Sequence, residues 1–213
     1  YYKCAYLGPM TGESAQYGEV HTRAYQFAID QINEAGGING VPIKMDIYDD
    51  KNDAKEAVTV ANKIVLDDEV LICFGPFAST VAIAVAPVFE KAGITECSPS
   101  ASHVDFEFQG EYMVTGSNNQ NYMQAEFAKF VYNDLGLKTT GMLCLNDDVG
   151  NNTIEVFTKE YEALGGTVTK ALTYNKGSST DFTPQISSIM QDNPECFYPY
   201  GTYAEVAQIA IQA

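Results

Sequence analysis

Short apolar runs alternate along the chain with stretches whose apolar residues recur every three to four positions, the two periods of strand and helix. Residues 1–7 predict a strand. Val20, Ala24, Phe27, Ala28 and Ile32 then recur at helical spacing and predict a helix with that face inward, ended by Gly36-Gly37. Residues 42–48 predict the next strand. Asp53-Ala54-Lys55-Glu56 resembles a capping box with Asp in place of Ser or Thr, and opens a helix turning Ala57, Val60, Ala61, Ile64 and Val65 inward. Residues 70–74 predict a strand, 81–91 a helix and 93–97 a further strand. Pro87 should kink or break that helix, because it removes a backbone hydrogen bond. A strand-like run at 111–115 leads into the polar stretch Gly116-Ser117-Asn118-Asn119-Gln120-Asn121, read as a crossing between lobes. A second series predicts helix 122–135, strand 139–145, helix 151–164, strand 167–174, helix 181–190, strand 195–200 and helix 203–213. Strands alternating with amphipathic helices imply right-handed βαβ units and parallel sheets. The expectation is an α/β protein of two doubly wound parallel-sheet lobes, residues 1–116 and 117–213.

Composition narrows the function classes. Hydrophobic residues make up 46% of the 213, aromatics 12% and charged residues 19%, ample material for a globular core. Twelve Lys and Arg against 28 Asp and Glu leave a net charge of −16, which argues against nucleic acid or an anionic membrane as partner. No apolar run approaches the ~18 residues of a membrane span. The five cysteines are far apart, with no Cys-x-x-Cys pair and no histidine to complete a metal site, so all five are read as buried thiols and no metal or cofactor is expected. The chain opens directly in a strand-like run without a leader segment, and its last predicted helix stops with no glycine or polar tail. A fragment of a longer polypeptide is the expectation, with a signal segment removed and later elements of both lobes missing.

In open parallel sheets, ligands bind beyond the carboxyl ends of the strands. The loops in question are residues 8–18, 75–80 and 98–102 in the first lobe, and 146–150 and 201–203 in the second. They carry Thr11, Ser14, Gln16, Tyr17, Ser79, Thr80, Ser98, Ser100 and Ser102. Two such edges facing one another would make a cleft of hydroxyls, helix N-termini and tyrosines suited to a small polar molecule. The most pointed of these loops is Gly75-Pro76-Phe77-Ala78-Ser79-Thr80, where a strand stops and a helix begins. A helix start presents unpaired N–H groups and the positive end of the helix dipole, worth about 0.3–1 kcal/mol to a carboxylate. Taken alone, Ser79 is read as capping its own helix. Ser98 and Ser102 taken alone are turn residues around Pro99, and Asp147 and Asp148 a solvated loop and helix cap. Neither His21 nor His103 has the carboxylate-plus-nucleophile setting of a catalytic base. Residues 36–40 follow a helix and form a C-cap and turn, not a phosphate loop. Asn151-Asn152-Thr153 matches a glycosylation pattern but starts a predicted helix.

Several segments together resemble a known family. Leu7-Gly8-Pro9-Met10-Thr11-Gly12, Ala15-Gln16-Tyr17-Gly18, Ile32-Asn33-Glu34-Ala35-Gly36-Gly37-Ile38-Asn39-Gly40, Asp49-Asp50, Gly75 to Thr80, Ser98-Pro99-Ser100-Ala101-Ser102 and Asp147-Asp148-Val149-Gly150 occur in the order found in type I periplasmic binding proteins. The branch most resembled is that of the leucine/isoleucine/valine-binding-protein-like receptors of ABC transporters. The resemblance covers essentially the whole chain and implies a full length well beyond 213 residues. It further implies that Ser79 and Ser102 bind a ligand α-carboxylate, and that the carbonyl of Ser100 and hydroxyl of Ser102 take the α-ammonium group. Tyr17 and Phe77 would line the pocket, with Ala78 and Ala101 in the same segments and Val149, Tyr200 and Thr202 in the second lobe. Val149 stands where the family often has an aromatic residue. Thr202 stands where amino-acid binders tend to have tyrosine, with Tyr200 and Tyr203 beside it. The acidic partner of the ammonium group is expected past Ala213.

The expected function is an extracytoplasmic receptor for a branched-chain or similar amino acid, serving the membrane permease of an ABC transporter. No enzyme activity, nucleic acid or direct membrane insertion is expected, a removed lipid anchor aside. The alternatives are a ligand-sensing regulatory domain of the same fold and a flavodoxin-like enzyme, although no strand end carries a phosphate-binding glycine signature.

Overall fold

A computed structural model describes residues 1–177 and 180–213, which divide into two compact units, Tyr1–Asn118 and Asn119–Ala213. In the first, β1 (Tyr2–Gly8), α1 (Ala15–Glu34), β2 (Ile43–Asp49), α2 (Ala54–Ile64), β3 (Val70–Phe74), α3 (Ser79–Ala92), β4 (Thr95–Ser98) and β5 (Met113–Thr115) follow one another. The strands form one parallel sheet in the order β2-β1-β3-β4-β5. Register places Ala5, Cys73, Glu96 and Met113 side by side. That face carries α2 and α3 and the core of Leu7, Ala61, Ile64, Val85 and Phe89. Apolar positions spaced three and four apart in both helices meet the alternate residues of the strands, so the two periods interlock.

Helix α1 lies on the other face and corrects the expectation made for it. Val20, Phe27 and Ile32 are exposed (57%, 65% and 38%), as are Ala24 and Ala28. The buried residues are Gly18, Thr22 and Ile29. Closeness of fit chose this face: a Cβ on Gly18 would fall 2.0 Å from the carbonyl oxygen of Pro9, so the glycine lets the helix press against the loop that precedes it. Thr22 turns its hydroxyl back to the Gly18 carbonyl at 2.8 Å and so buries no unpaired donor. Beside α1 this face of the sheet stays open as an apolar groove of about 490 Å³, bordered by Tyr25, Ile29 and Ile32 on one side and Cys4, Leu71, Ile72 and Phe74 on the other.

Helix α3 starts two residues earlier than predicted and runs through Pro87 without breaking. Pro87 points to solvent, where water can take the carbonyl it frees, while Val85, Ala86 and Phe89 are fully buried beneath it. Tertiary burial thus outweighs a local cost of about 3 kcal/mol.

The second unit contains α4 (Gln120–Lys129), β6 (Thr139–Leu145), α5 (Asp148–Ala163), β7 (Thr167–Tyr174), α6 (Thr183–Met190), β8 (Cys196–Tyr200) and α7 (Tyr203–Gln212). Its strands are parallel in the order β7-β6-β8. Alternation along β6 supplies two cores. Met142 and Cys144 meet Val131, Phe157 and Tyr161, while Leu143 and Leu145 meet Phe182, Ile186, Ile189 and Ile209. Helix α4 begins at Gln120 and widens into a π turn over Phe130–Asp134. Helix α5 begins at Asp148, three residues ahead of its predicted start, because Asp147 caps it by accepting the Gly150 N–H at 2.7 Å. All five cysteines are free thiols; Cys4, Cys73 and Cys144 are buried, but Cys97 and Cys196 are only half-buried, which corrects the expectation of five buried thiols.

Candidate functional site

In the first unit the chain leaves β1, β3 and β4 at one edge, and the three loops are tied together by side chains. Gly75 makes the approach possible: its φ is +103°, and a Cβ there would lie 1.9 Å from the carbonyl oxygen of Leu7. Ser98 donates to the Pro76 carbonyl (2.7 Å) and accepts the Ala101 N–H (2.9 Å). The Ser100 hydroxyl donates to the Phe77 carbonyl at 2.8 Å. Thr115 donates to the Ala101 carbonyl at 2.6 Å. Ala101 is fully buried, so with both backbone groups engaged it shapes the loop and offers no contact surface.

Ser79 does not cap its own helix. The cap position belongs to Ala78, which has no side-chain oxygen, and Ser79 is the first residue of α3. Its hydroxyl oxygen instead accepts N–H bonds from Ser102 (3.1 Å) and His103 (3.3 Å), 23 and 24 residues further on. The first helical N–H groups to bond backward are those of Val81 and Ala82, both to the Ala78 carbonyl. Those of Ser79 and Thr80 therefore have no partner earlier in the helix, at the positive end of its dipole. The Ser102 hydroxyl has no hydrogen bond among the described residues. An acceptor placed here would meet N–H and O–H donors converging from α3 and from the loop after β4.

An aromatic wall borders this edge. Tyr17 and Phe77 stack with ring centroids 4.0 Å apart and planes 18° apart. His21, one turn along α1 from Tyr17, lies 6.0 Å from Phe77. Burial holds its imidazole below the ordinary histidine range.

The second unit places Val149, Tyr200 and Thr202 at the carboxyl ends of its strands, all half-buried. Val149 precedes Gly150, whose missing Cβ would lie 1.9 Å from the Leu145 carbonyl oxygen. Gln120, fully buried, fixes that loop by donating to the Val149 carbonyl (2.6 Å) and the Thr153 hydroxyl (2.8 Å). Thr202 donates to the Glu205 carboxylate at 2.8 Å, which also accepts from Tyr174 (3.4 Å) and the Gly177 N–H (3.4 Å). Burial first, then the nearby Glu205 charge, drives the Tyr174 phenol upward.

Sequence reasoning missed Thr115, Gln120 and Glu205. The first two sit in or beside the polar run at 116–121 and looked like linker; their role appears only with partners 14 to 33 residues away. Glu205 could have been marked as an acid in the first turn of a predicted helix. Among the described residues no three His, Cys, Asp or Glu side chains gather as a metal would require.

With this edge and fold in view, comparison with known proteins gives the class. Residues 2–213 match the periplasmic binding protein family, and the chain belongs to it. Over 212 residues it is 32% identical to the leucine-, isoleucine-, valine-, threonine-, and alanine-binding protein of Pseudomonas aeruginosa, covering 99% of this chain and 56% of that protein. A Leu/Ile/Val-binding protein of Rhizobium johnstonii is 29% identical, with 97% and 56% covered. Among solved structures, the branched-chain amino acid transporter substrate binding protein LivJ of Streptococcus pneumoniae, in complex with isoleucine, superposes with a TM-score of 0.92 at 26% identity, covering 99% of this chain and 60% of that one. The leucine binding protein LivK of Thermotoga maritima gives 0.92 at 25% identity, with 100% and 60% covered. The chain thus spans just over half the length of the relatives it matches.

Proposed function

We propose that the protein to which this chain belongs is an extracytoplasmic solute receptor that binds a branched-chain or similar small amino acid and delivers it to the membrane permease of an ABC transporter. It binds without chemical turnover. The observation that carries the reading is the pairing of Ser79 with the Ser102 loop at an uncapped helix start, which leaves the Ser79 and Thr80 N–H groups and the Ser102 hydroxyl for an anion. The names of the relatives supply the ligand class.

In this reading the ligand carboxylate sits at the first turn of α3. The Ser102 N–H is already given to Ser79, so the carboxylate donors are the helix N–H groups and the two hydroxyls. The Ser100 carbonyl and Ser102 hydroxyl receive the ammonium group, and Tyr17 with Phe77 covers the apolar side chain. Val149, Tyr200 and Thr202 are the proposed contacts from the second unit; the Thr202 hydroxyl already donates to Glu205.

Isothermal calorimetry of the intact protein with L-leucine, L-isoleucine and L-valine tests this. At least one should bind in the micromolar range or tighter, about −8 kcal/mol. Ser102→Ala should weaken it by roughly 1.5–3 kcal/mol, the worth of a hydrogen bond to a charged group. Binding with undiminished affinity after that substitution would remove the carboxylate seat from the reading.

A further inference from the structure

Behind the aromatic wall lies a pair of groups that the binding reading leaves unused. The Tyr6 side chain, fully buried on β1, brings its hydroxyl to 3.4 Å from Nδ1 of His21 on α1. The sequence makes room for this two residues on, since a Cβ on Gly8 would lie 2.3 Å from the Tyr6 oxygen. His21 is the only hydrogen-bond partner of the Tyr6 hydroxyl among the described residues. With a neutral imidazole protonated at Nε2, the buried hydroxyl donates to Nδ1. A protonated imidazole carries N–H on both nitrogens and accepts nothing, so the Tyr6 oxygen would turn acceptor and its own proton would lose its partner.

One charge lies near the pair: the fully buried Asp50, just past β2, whose carboxylate acts on the Tyr6 phenol. The groups facing His21 are Tyr6 from β1, Phe77 from the loop before α3, and Tyr17 and Tyr25 on its own helix. Glu19 and Arg23 of α1 are exposed and pair with each other at 3.6 Å. Burial alone perturbs the imidazole.

We infer that His21 is a positioning residue that makes the site proton-sensitive: neutral, it braces Phe77 against Tyr17, and a ligand seated on that wall buries it further, so that binding favours the neutral form and weakens in acid. This rests on the proposal that the ligand's apolar side chain covers Tyr17 and Phe77. The sign is diagnostic. A ligand that only adds apolar cover makes protonation harder, so affinity falls as pH falls. A carboxylate lying against His21 would do the reverse.

The chain has two histidines, His21 and His103, which allows a clean test. NMR titration of both imidazoles would follow each directly, and calorimetry of the intact protein with L-isoleucine would give affinity between about pH 7.5 and about pH 5. The expected results are a free His21 that titrates below the ordinary histidine range and moves lower still on saturation. Affinity should fall severalfold across the interval. His21→Gln, which can still accept from Tyr6 but does not titrate, should flatten the profile, and the titration of the unaltered protein serves if that variant folds poorly. The inference is overturned if affinity rises in acid, or if the dependence survives His21→Gln and disappears in His103→Gln. Absence of binding to every branched-chain amino acid would sink the ligand reading instead, while a free His21 titrating at or above the ordinary value would overturn the inference on its own.

Discussion

Ser79 holds two loops by accepting from Ser102 and His103, so its loss acts on stability as well as on any ligand. Ser79→Ala leaves two half-buried N–H groups without an acceptor and should cost roughly 1–2 kcal/mol of folding stability. Urea unfolding reads this as a lower midpoint; an unchanged midpoint would show that solvent replaces the bond freely. Glu96 makes a second prediction at this scale. It lies in β4 with zero exposure, among Cys73, Met113 and the residues of α3, and neither carboxyl oxygen has a hydrogen-bond partner among the described residues. Burial pushes its carboxyl up to about 9. Between its unfolded value near 4.5 and about 9 the folded state holds a proton that the unfolded state has lost, so this group subtracts stability as pH rises through that window. The slope is about 1.4 kcal/mol per pH unit. Glu96→Gln should be nearly neutral at about pH 4.5 and increasingly stabilising toward about pH 8. Parallel pH profiles of the two proteins in urea would remove the assignment.

At the scale of elements, α1 shows that the right period can carry the wrong face. Its apolar residues at 20, 24, 27, 28 and 32 have helical spacing, yet the buried residues are Gly18, Thr22 and Ile29 instead. The two faces should respond differently to truncation in this 213-residue chain. Ile29→Ala removes a side chain that is 6% exposed and should cost about 2–5 kcal/mol at the upper end of what a groove-lining site permits. Phe27→Ser, at a residue 65% exposed, should move stability by about 0.5 kcal/mol or less. Thermal unfolding of the two variants decides it, and equal losses would restore the face expected from periodicity. The break expected at Pro87 failed for a related reason: burial of its neighbours is a tertiary quantity.

For the whole molecule, charge dominates the prediction. A net charge of −16 repels itself, and ion pairs such as Lys3 with Asp46 (2.9 Å) and Asp67 (2.6 Å) offset little of it. Raising salt from about 20 mM to about 500 mM should therefore raise the unfolding temperature by a few degrees. A fall would mean that local pairs and helix dipoles outweigh the self-repulsion.

The sequence by itself determined the succession of strands and helices, the parallel α/β class, and the placement of serines and tyrosines just after strands. These follow from local period and from the rule that parallel sheets gather such loops at one edge. The strand orders, the inward face of α1, the burial of Glu96 and the engagement of Ser79 with Ser102 were decided only by the tertiary structure. Each depends on groups tens of residues apart, whose meeting is set by packing and by the need to pair buried donors. The helix start at Ser79 was thus legible as a place, while its hydroxyl found its partners only once β4 and its loop lay beside it.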